Sequence, residues 1–84
     1  MSMGHDRPYP NMLRVIRQNA GLSQRCVAKL LGHTETVSLS QWESERVMPS
    51  GANLVRLCVL YNKPIHELYP GYYERVQRDI PSCY

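Results

Sequence analysis

The feature that most constrains this fold is a series of short apolar segments with helical spacing, each closed by a glycine or a proline. Leu13 and Ile16 lie three residues apart and are followed by Gly21, and Val27 opens a second segment that stops at Gly32. Apolar residues three or four apart share one face of a helix, and glycine adopts the left-handed backbone that ends many helices. The pattern predicts an all-α chain of short helices.

Short polar residues in front of these segments can cap the helices. Asn11 precedes the first helix, Ser23 the second and Ser50 the fourth, and such side chains accept a hydrogen bond from a free backbone N–H. A third helix is expected over residues 36–44, and Pro64 can begin a short fifth helix. The apolar positions assigned to the five helices are Met12, Leu13, Val15, Ile16 and Ala20; Val27, Ala28, Leu30 and Leu31; Leu39 and Trp42; Leu54, Leu57, Cys58 and Tyr61; and Ile65 and Leu68.

The end of the chain carries an apolar stripe on an otherwise polar segment. Pro70 and Gly71 break the fifth helix, after which Tyr72, Val76 and Ile80 recur every four residues, which predicts a short sixth helix. This region holds more aromatic surface than so short a tail needs, in Tyr69, Tyr72, Tyr73 and Tyr84. We therefore expect a homodimer interface formed by Tyr72, Tyr73, Val76 and Ile80.

Length and charge limit what the chain can do. Its 84 residues, 43% of them hydrophobic, allow one modest core and leave no room for a second domain. We divide the chain into a flexible arm (1–10), a helical domain (11–69) and a C-terminal extension (70–84). The formal charge is +3, but residues 1–34 hold five basic side chains and one acidic one, which favours an anionic partner on that side.

The three cysteines give no sign of a disulfide framework or a metal site. Cys26, Cys58 and Cys83 are odd in number and widely spaced, which is typical of a reducing compartment. No segment has the length and composition of a signal peptide or a membrane span. We expect a cytoplasmic protein without cofactor, metal or catalytic residues.

The most informative segment is 24–43, in which two short helices flank a glycine turn. Ala28 is small where the two helices must approach closely, and Leu39 with Trp42 can anchor the second of them. The segment resembles the Cro/C1 type of helix-turn-helix regulators, also called the xenobiotic response element family of bacteria and phages. The resemblance rests on Leu13-Arg14-Val15-Ile16-Arg17, Gly21-Leu22-Ser23-Gln24, Val27-Ala28, Leu31-Gly32, Leu39-Ser40-Gln41-Trp42-Glu43, Pro49-Ser50, Leu54, Leu57 and Ile65-His66-Glu67-Leu68. Between Gly32 and Leu39 the chain has one residue more than the commonest pattern.

The resemblance implies a role for each part of this segment. The third helix would enter the major groove of DNA and read base edges through Thr36, Val37, Ser40 and Gln41. Phosphate contacts would come from Ser23, Gln24 and Arg25 at the second helix, and from Ser44 and Arg46 after the third. Arg17 and Glu43 correspond to a structural ion pair of the family. Trp42 is expected to be core, and His33 to be a solvated turn residue.

These expectations combine into one mechanism and two alternatives. The protein would bind a palindromic operator in double-stranded DNA as a homodimer and repress transcription, close to the nucleoid of a bacterium or as a phage product. One alternative is an antitoxin whose C-terminal extension also binds a toxin. The other is a protein-interaction module on the same fold, for which the mild net charge and Glu35 beside the recognition helix are the arguments.

Overall fold

The computed structural model describes residues 7–80, which form six α-helices and no strand. The helices are α1 (Leu13–Asn19), α2 (Gln24–Leu30), α3 (Val37–Glu43), α4 (Gly51–Tyr61), α5 (Ile65–Leu68) and α6 (Pro70–Asp79). The all-α fold with a short sixth helix is confirmed. The first six residues of the expected arm, together with Cys83 and Tyr84, lie outside the described residues.

Serine caps begin two of the helices as the sequence indicates. Ser23 Oγ accepts a hydrogen bond from the backbone N–H of Cys26 at 3.0 Å, and Ser50 Oγ accepts one from Asn53 at 3.3 Å. Each bond satisfies one of the four N–H groups that a helix start leaves free. Because the caps fix where α2 and α4 begin, they also fix which side chains face the core.

Asn11 does more than mark the start of α1. Its Oδ1 accepts from the N–H of Leu13 at 3.0 Å, while its Nδ2 donates to the carbonyl oxygens of Tyr9 and Trp42. One side chain therefore joins the beginning of α1 to the end of α3. The residues before it do not extend freely either, since Tyr9 packs against the core and residues 7–10 contact both α6 and the loop after α3.

The turns around α2 depend on two glycines with a left-handed backbone. Gly21 has a φ of 74° and Gly32 a φ of 83°, values that a residue with a Cβ reaches only with strain. These turns end α1 and α2 abruptly. They let three helices of only seven residues each pack around one core.

Fewer of the apolar side chains are buried in the core than the sequence pattern predicts. Its buried apolar side chains are Leu13, Val27, Ala28, Leu31, Leu39, Trp42, Leu57, Tyr61, Leu68 and Tyr69. Four residues expected on apolar faces are exposed, namely Met12, Val15, Ala20 and Leu30, and Leu30 keeps 60% of its accessible surface. A two-turn helix buries only one stripe, and in α1 and α2 that stripe passes through Leu13, Val27 and Leu31 instead.

One expectation about the C-terminal region is wrong. Tyr69 does not add to an exposed aromatic surface, because it is completely buried. The fifth helix ends before Pro70, as the sequence indicates, but the sixth helix begins at Pro70 itself rather than near Tyr72. A proline fits there since the first turn of a helix needs no N–H from that residue. Within residues 7–80, no helix is long and apolar enough to cross a membrane.

Candidate nucleic-acid interface

Helix α3 has one buried face and one exposed face. Leu39 and Trp42 lie in the core, while Val37, Ser40 and Gln41 point away from it; Val37 is 55% exposed although it is apolar. The buried residues are three apart, which places them on one side of the helix. The structure therefore presents a compact face of short side chains to solvent.

Residues at both ends of α3 border this exposed face. Thr36 occupies the N-cap position, is half-buried and makes no side-chain capping bond. Ser44, directly after the helix, donates its hydroxyl proton to the carbonyl oxygen of Gln41 at 2.6 Å. Arg46 is exposed two residues later. A phosphate contact through the Ser44 hydroxyl would require that hydrogen bond to be exchanged, whereas Arg46 is free to turn outward.

A buried carboxylate fixes α3 to the two preceding helices. Glu43 receives hydrogen bonds from Arg17 through Nε at 2.6 Å and Nη2 at 3.1 Å, and from Gln24 Nε2 at 3.0 Å. Arg17 also donates to the carbonyl oxygen of Leu22, and Arg14 Nε lies 3.6 Å from the same carboxylate. The hydrogen bond to Glu43 raises the pKa of Arg17 above its ordinary value, and burial opposes this only in part. The structure thus brings the expected ion pair together, with Gln24 as an additional partner.

The contact of Gln24 with Glu43 limits how this residue can meet DNA. Nε2 carries two hydrogens, and one is used inside the protein, so a single side-chain N–H remains for a phosphate oxygen. Ser23 is occupied as a cap but can still donate its own hydroxyl proton, and Arg25 is exposed. Ser23, Gln24 and Arg25 are consecutive residues at the start of α2.

The comparison with known families agrees with this arrangement. Residues 13–68, two thirds of the chain, match the family model described as Helix-turn-helix. The chain belongs to the Cro/C1-type helix-turn-helix family. Because this is a family of DNA-binding transcription regulators, the chain is a DNA-binding transcription regulator. No curated protein and no solved structure matches the chain.

An open groove connects the two halves of this helix-turn-helix unit. It runs between α2 and the turn before α3, with Arg25 and Lys29 on one wall and Thr36 and Val37 on the other. The two cations place positive potential beside the start of α3, while Glu35 adds one negative charge at the turn. Three of the expected DNA-contact residues, Arg25, Thr36 and Val37, thus line one groove.

His33, in the turn before α3, is not the solvated residue that the sequence predicts. The imidazole is half-buried and lies edge-on to Trp42, with ring centroids 5.8 Å apart, so it is not simply solvated. Its Nδ1 is buried and has no hydrogen-bond partner among residues 7–80. The backbone N–H of His33 bonds to the carbonyl oxygen of Ala28 at 2.8 Å, which closes the end of α2 around Gly32. The pattern of a polar turn gave no signal of this packing.

The four side chains expected in a dimer interface are not equally accessible. Tyr73 and Ile80 are exposed, but Tyr72 and Val76 are half-buried. The Tyr72 ring meets Tyr9 edge-on, with centroids 5.5 Å apart. Part of the expected stripe therefore packs within the monomer, and α6 offers a smaller free apolar surface than the sequence indicates.

Proposed function

We propose that the protein is a transcriptional repressor that binds a palindromic operator as a homodimer, with α3 in the major groove. The observation that carries this proposal is that α3 has one side buried in the core and the other exposed to solvent. Leu39, Trp42 and Glu43 fix one side of the helix in the core, so that Ser40 and Gln41 are held outward on the other. A helix that is rigidly attached in this way can insert its side chains into a groove without reorganising the domain.

Base-specific contacts are assigned to the exposed face of α3. Gln41 can form a bidentate pair with adenine N6 and N7, and Val37 can contact a thymine methyl group. Ser40 can bond to either kind of base edge, and Thr36 lies at the end of the helix that points toward the groove with Arg25 and Lys29. Gln41 carries the largest share of the specificity in this proposal because a bidentate pair distinguishes one base from the other three.

Phosphate contacts are assigned to the two flanks of the recognition helix. On one flank are Ser23, Gln24 and Arg25 at the start of α2, and on the other are Ser44 and Arg46. These contacts orient the protein on the duplex without reading sequence. Since each neutralised phosphate releases counterions, they would make the affinity depend strongly on salt.

The dimer is assigned to α6. Its exposed apolar residues are Tyr73 and, directly after the helix, Ile80, and they lie beside Tyr72 and Val76, which are half-buried in the monomer. Two-fold association would place two recognition helices roughly 34–36 Å apart on one face of the duplex. A bound dimer would then block access of RNA polymerase, which is the simplest way for so small a protein to repress.

The proposal is tested by selection of duplexes from a randomised pool, followed by affinity measurements on the enriched sequence. We expect a palindrome, and an affinity whose logarithm falls linearly with log salt at about −0.9 per phosphate contacted. Gln41→Ala should relax one position in each half-site at a cost of about 1–3 kcal/mol, roughly 5- to 150-fold in affinity.

Gln18→Ala is the matched control, because Gln18 is an exposed glutamine on α1 that has no proposed contact with DNA. It should leave both the enriched sequence and the affinity unchanged. If no sequence is enriched and binding is weak even at low salt, groove reading by α3 is disproved. An enriched site without two-fold symmetry would remove the dimer from the proposal and leave the monomer contacts in place.

A further inference from the structure

The first described residues of the chain are bound to the loop that follows the recognition helix. The N–H of Tyr9 donates to the carbonyl oxygen of Glu45, and the N–H of Asn11 donates to Glu45 Oε2, both at 3.1 Å. Arg7 Nη1 lies 3.5 Å from the other carboxylate oxygen. A single loop residue thus takes three contacts from residues 7–11, which we call the N-terminal brace.

The brace is also bound to α6. Tyr9 contacts the Tyr72 ring edge-on, at 69° between the ring planes. Arg75 donates to the carbonyl oxygen of Pro8, and its guanidinium lies 5.1 Å from the centre of the same Tyr72 ring. Because neighbouring residues of the brace contact Glu45 and α6, the brace links α6 directly to the loop after α3.

Glu45 has a strained backbone conformation, and the contacts with the brace help to hold it. Glu45 has a φ of 72°, a left-handed conformation that disfavours any residue with a Cβ. The other non-glycine residue with positive φ among residues 7–80 is Asn62, and asparagine tolerates this conformation better than glutamate does. Glutamate has no such tolerance of its own, and the brace engages both its backbone carbonyl and its carboxylate.

We propose that the N-terminal brace positions the loop of Ser44 and Arg46 for contact with DNA phosphates, with Glu45 as the positioning residue. The two side chains flank Glu45, so a fixed backbone at this residue fixes the direction in which both can reach. This inference rests on the proposed function, since it assigns the loop its task from the phosphate contacts given above.

Glu45→Gly tests the role of the carboxylate, because glycine removes the side chain and suits the left-handed backbone. With the selected operator, we expect an affinity about tenfold weaker and a salt slope reduced by up to two phosphates, one for Arg46 of each protomer, roughly 0.9 for each. In the free protein, the amide of Asn11, which loses its side-chain acceptor, should exchange with solvent faster than in the wild type, and the amide of Tyr9 should follow as the brace loosens. Glu45→Gln keeps an acceptor for the Asn11 N–H and should recover most of the affinity.

Asn62→Gly is the matched control, since it makes the same change of backbone freedom at the end of α4, where no brace residue is in contact. It should leave the affinity, the salt slope and the two amides unchanged. A Glu45→Gly protein with the wild-type affinity and slope overturns the inference, as does one that melts earlier but binds with the wild-type slope when folded. A wild-type protein that binds no duplex overturns the proposed function instead. In that event the exchange of the Tyr9 and Asn11 amides still decides whether Glu45 holds the brace.

Discussion

Helices α3 and α6 both present exposed side chains for proposed contacts, but they are attached to the domain in different ways. α3 buries Leu39, Trp42 and Glu43, whereas α6 has no completely buried side chain and rests on the half-buried Tyr72 and Val76. A helix anchored by buried groups holds its outer face in one orientation. A helix held by half-buried contacts can repack against another molecule at little cost. The difference suits base reading in the first case and association in the second.

The buried polar groups near α3 and α6 also differ, because one has hydrogen-bond partners and the other does not. Glu43, at the end of α3, is satisfied by Arg17 and Gln24. Tyr69, directly before α6, is completely buried, yet its hydroxyl has no hydrogen-bond partner among residues 7–80. A satisfied buried charge holds three helices in one arrangement, whereas an unpaired buried hydroxyl costs free energy and holds nothing.

The largest effect is expected from breaking the attachment of α3. Arg17→Met leaves Glu43 buried without its main partner and should cost about 3–5 kcal/mol of unfolding free energy, a large part of the total for a small domain. Urea denaturation measures this. Arg14→Met is the matched control, because Arg14 is exposed and makes only the longer contact; it should cost less than about 1 kcal/mol. Equal effects of the two variants would show that the buried pair does not anchor α3.

The next effect concerns the buried tyrosines and appears at alkaline pH. Burial raises the pKa of Tyr61 to about 12, helped by the charge of Glu43, and burial also raises the pKa of Tyr69. The unfolded chain loses these protons near pH 10. Stability is therefore complete below about pH 10 and falls as the pH rises toward the folded-state values, by about 1.4 kcal/mol per unit for each tyrosine.

Unfolding free energies measured from pH 9 to pH 12 test this expectation. Tyr69→Phe should flatten the decline, and at neutral pH it should not destabilise the protein, because the hydroxyl that it removes has no partner in the described part of the chain. Tyr73→Phe, at an exposed position on α6, should leave the decline unchanged. A decline of the same steepness in Tyr69→Phe would mean that this hydroxyl reaches water in the folded protein.

A smaller effect is expected from the turn that sets the direction of α3. Gly32→Ala introduces a Cβ at a φ of 83° and should cost about 1–2 kcal/mol through backbone strain alone, since the space around the new atom is open. Gly51→Ala, also in open space but in the ordinary helical region, should be neutral or slightly stabilising. Thermal unfolding compares the two. If both alanines behaved alike, the left-handed turn would not be a determinant of how α3 is presented.

The smallest effect on the monomer is expected at α6. Ile80→Gln changes a residue that is 63% exposed and should alter monomer stability by no more than about 0.5 kcal/mol. The same change should weaken self-association if α6 forms the dimer. Sedimentation equilibrium measures the association, with Val59→Gln on the exposed side of α4 as the control. Unchanged association of Ile80→Gln would remove α6 from the proposed interface.

Local rules account for most of the fold. The serines at 23 and 50 cap their helices, and Gly21 and Gly32 adopt the left-handed backbone that their positions predict. The spacing of Leu39 and Trp42 correctly indicates which side of α3 is buried. These features depend on interactions between residues a few positions apart, so the pattern of the chain contains them.

Several features of the structure could not be predicted from local sequence patterns. The half-burial of His33, the burial of Tyr69 and the attachment of Tyr9 depend on which segments meet in three dimensions. The sequence does not single out Glu45, because a glutamate in a polar loop is ordinarily a solvated residue.

The sequence by itself determined the helices, their caps and turns, and the family to which the chain belongs, since all of these are fixed by the kind and order of neighbouring residues. Only the tertiary structure decided that Gln24 shares the carboxylate of Glu43, and that residues 7–11 tie the loop after α3 to α6. The physical reason is distance along the chain. Contacts between residues 19 to 67 positions apart arise from the packing of whole helices, which no local pattern encodes.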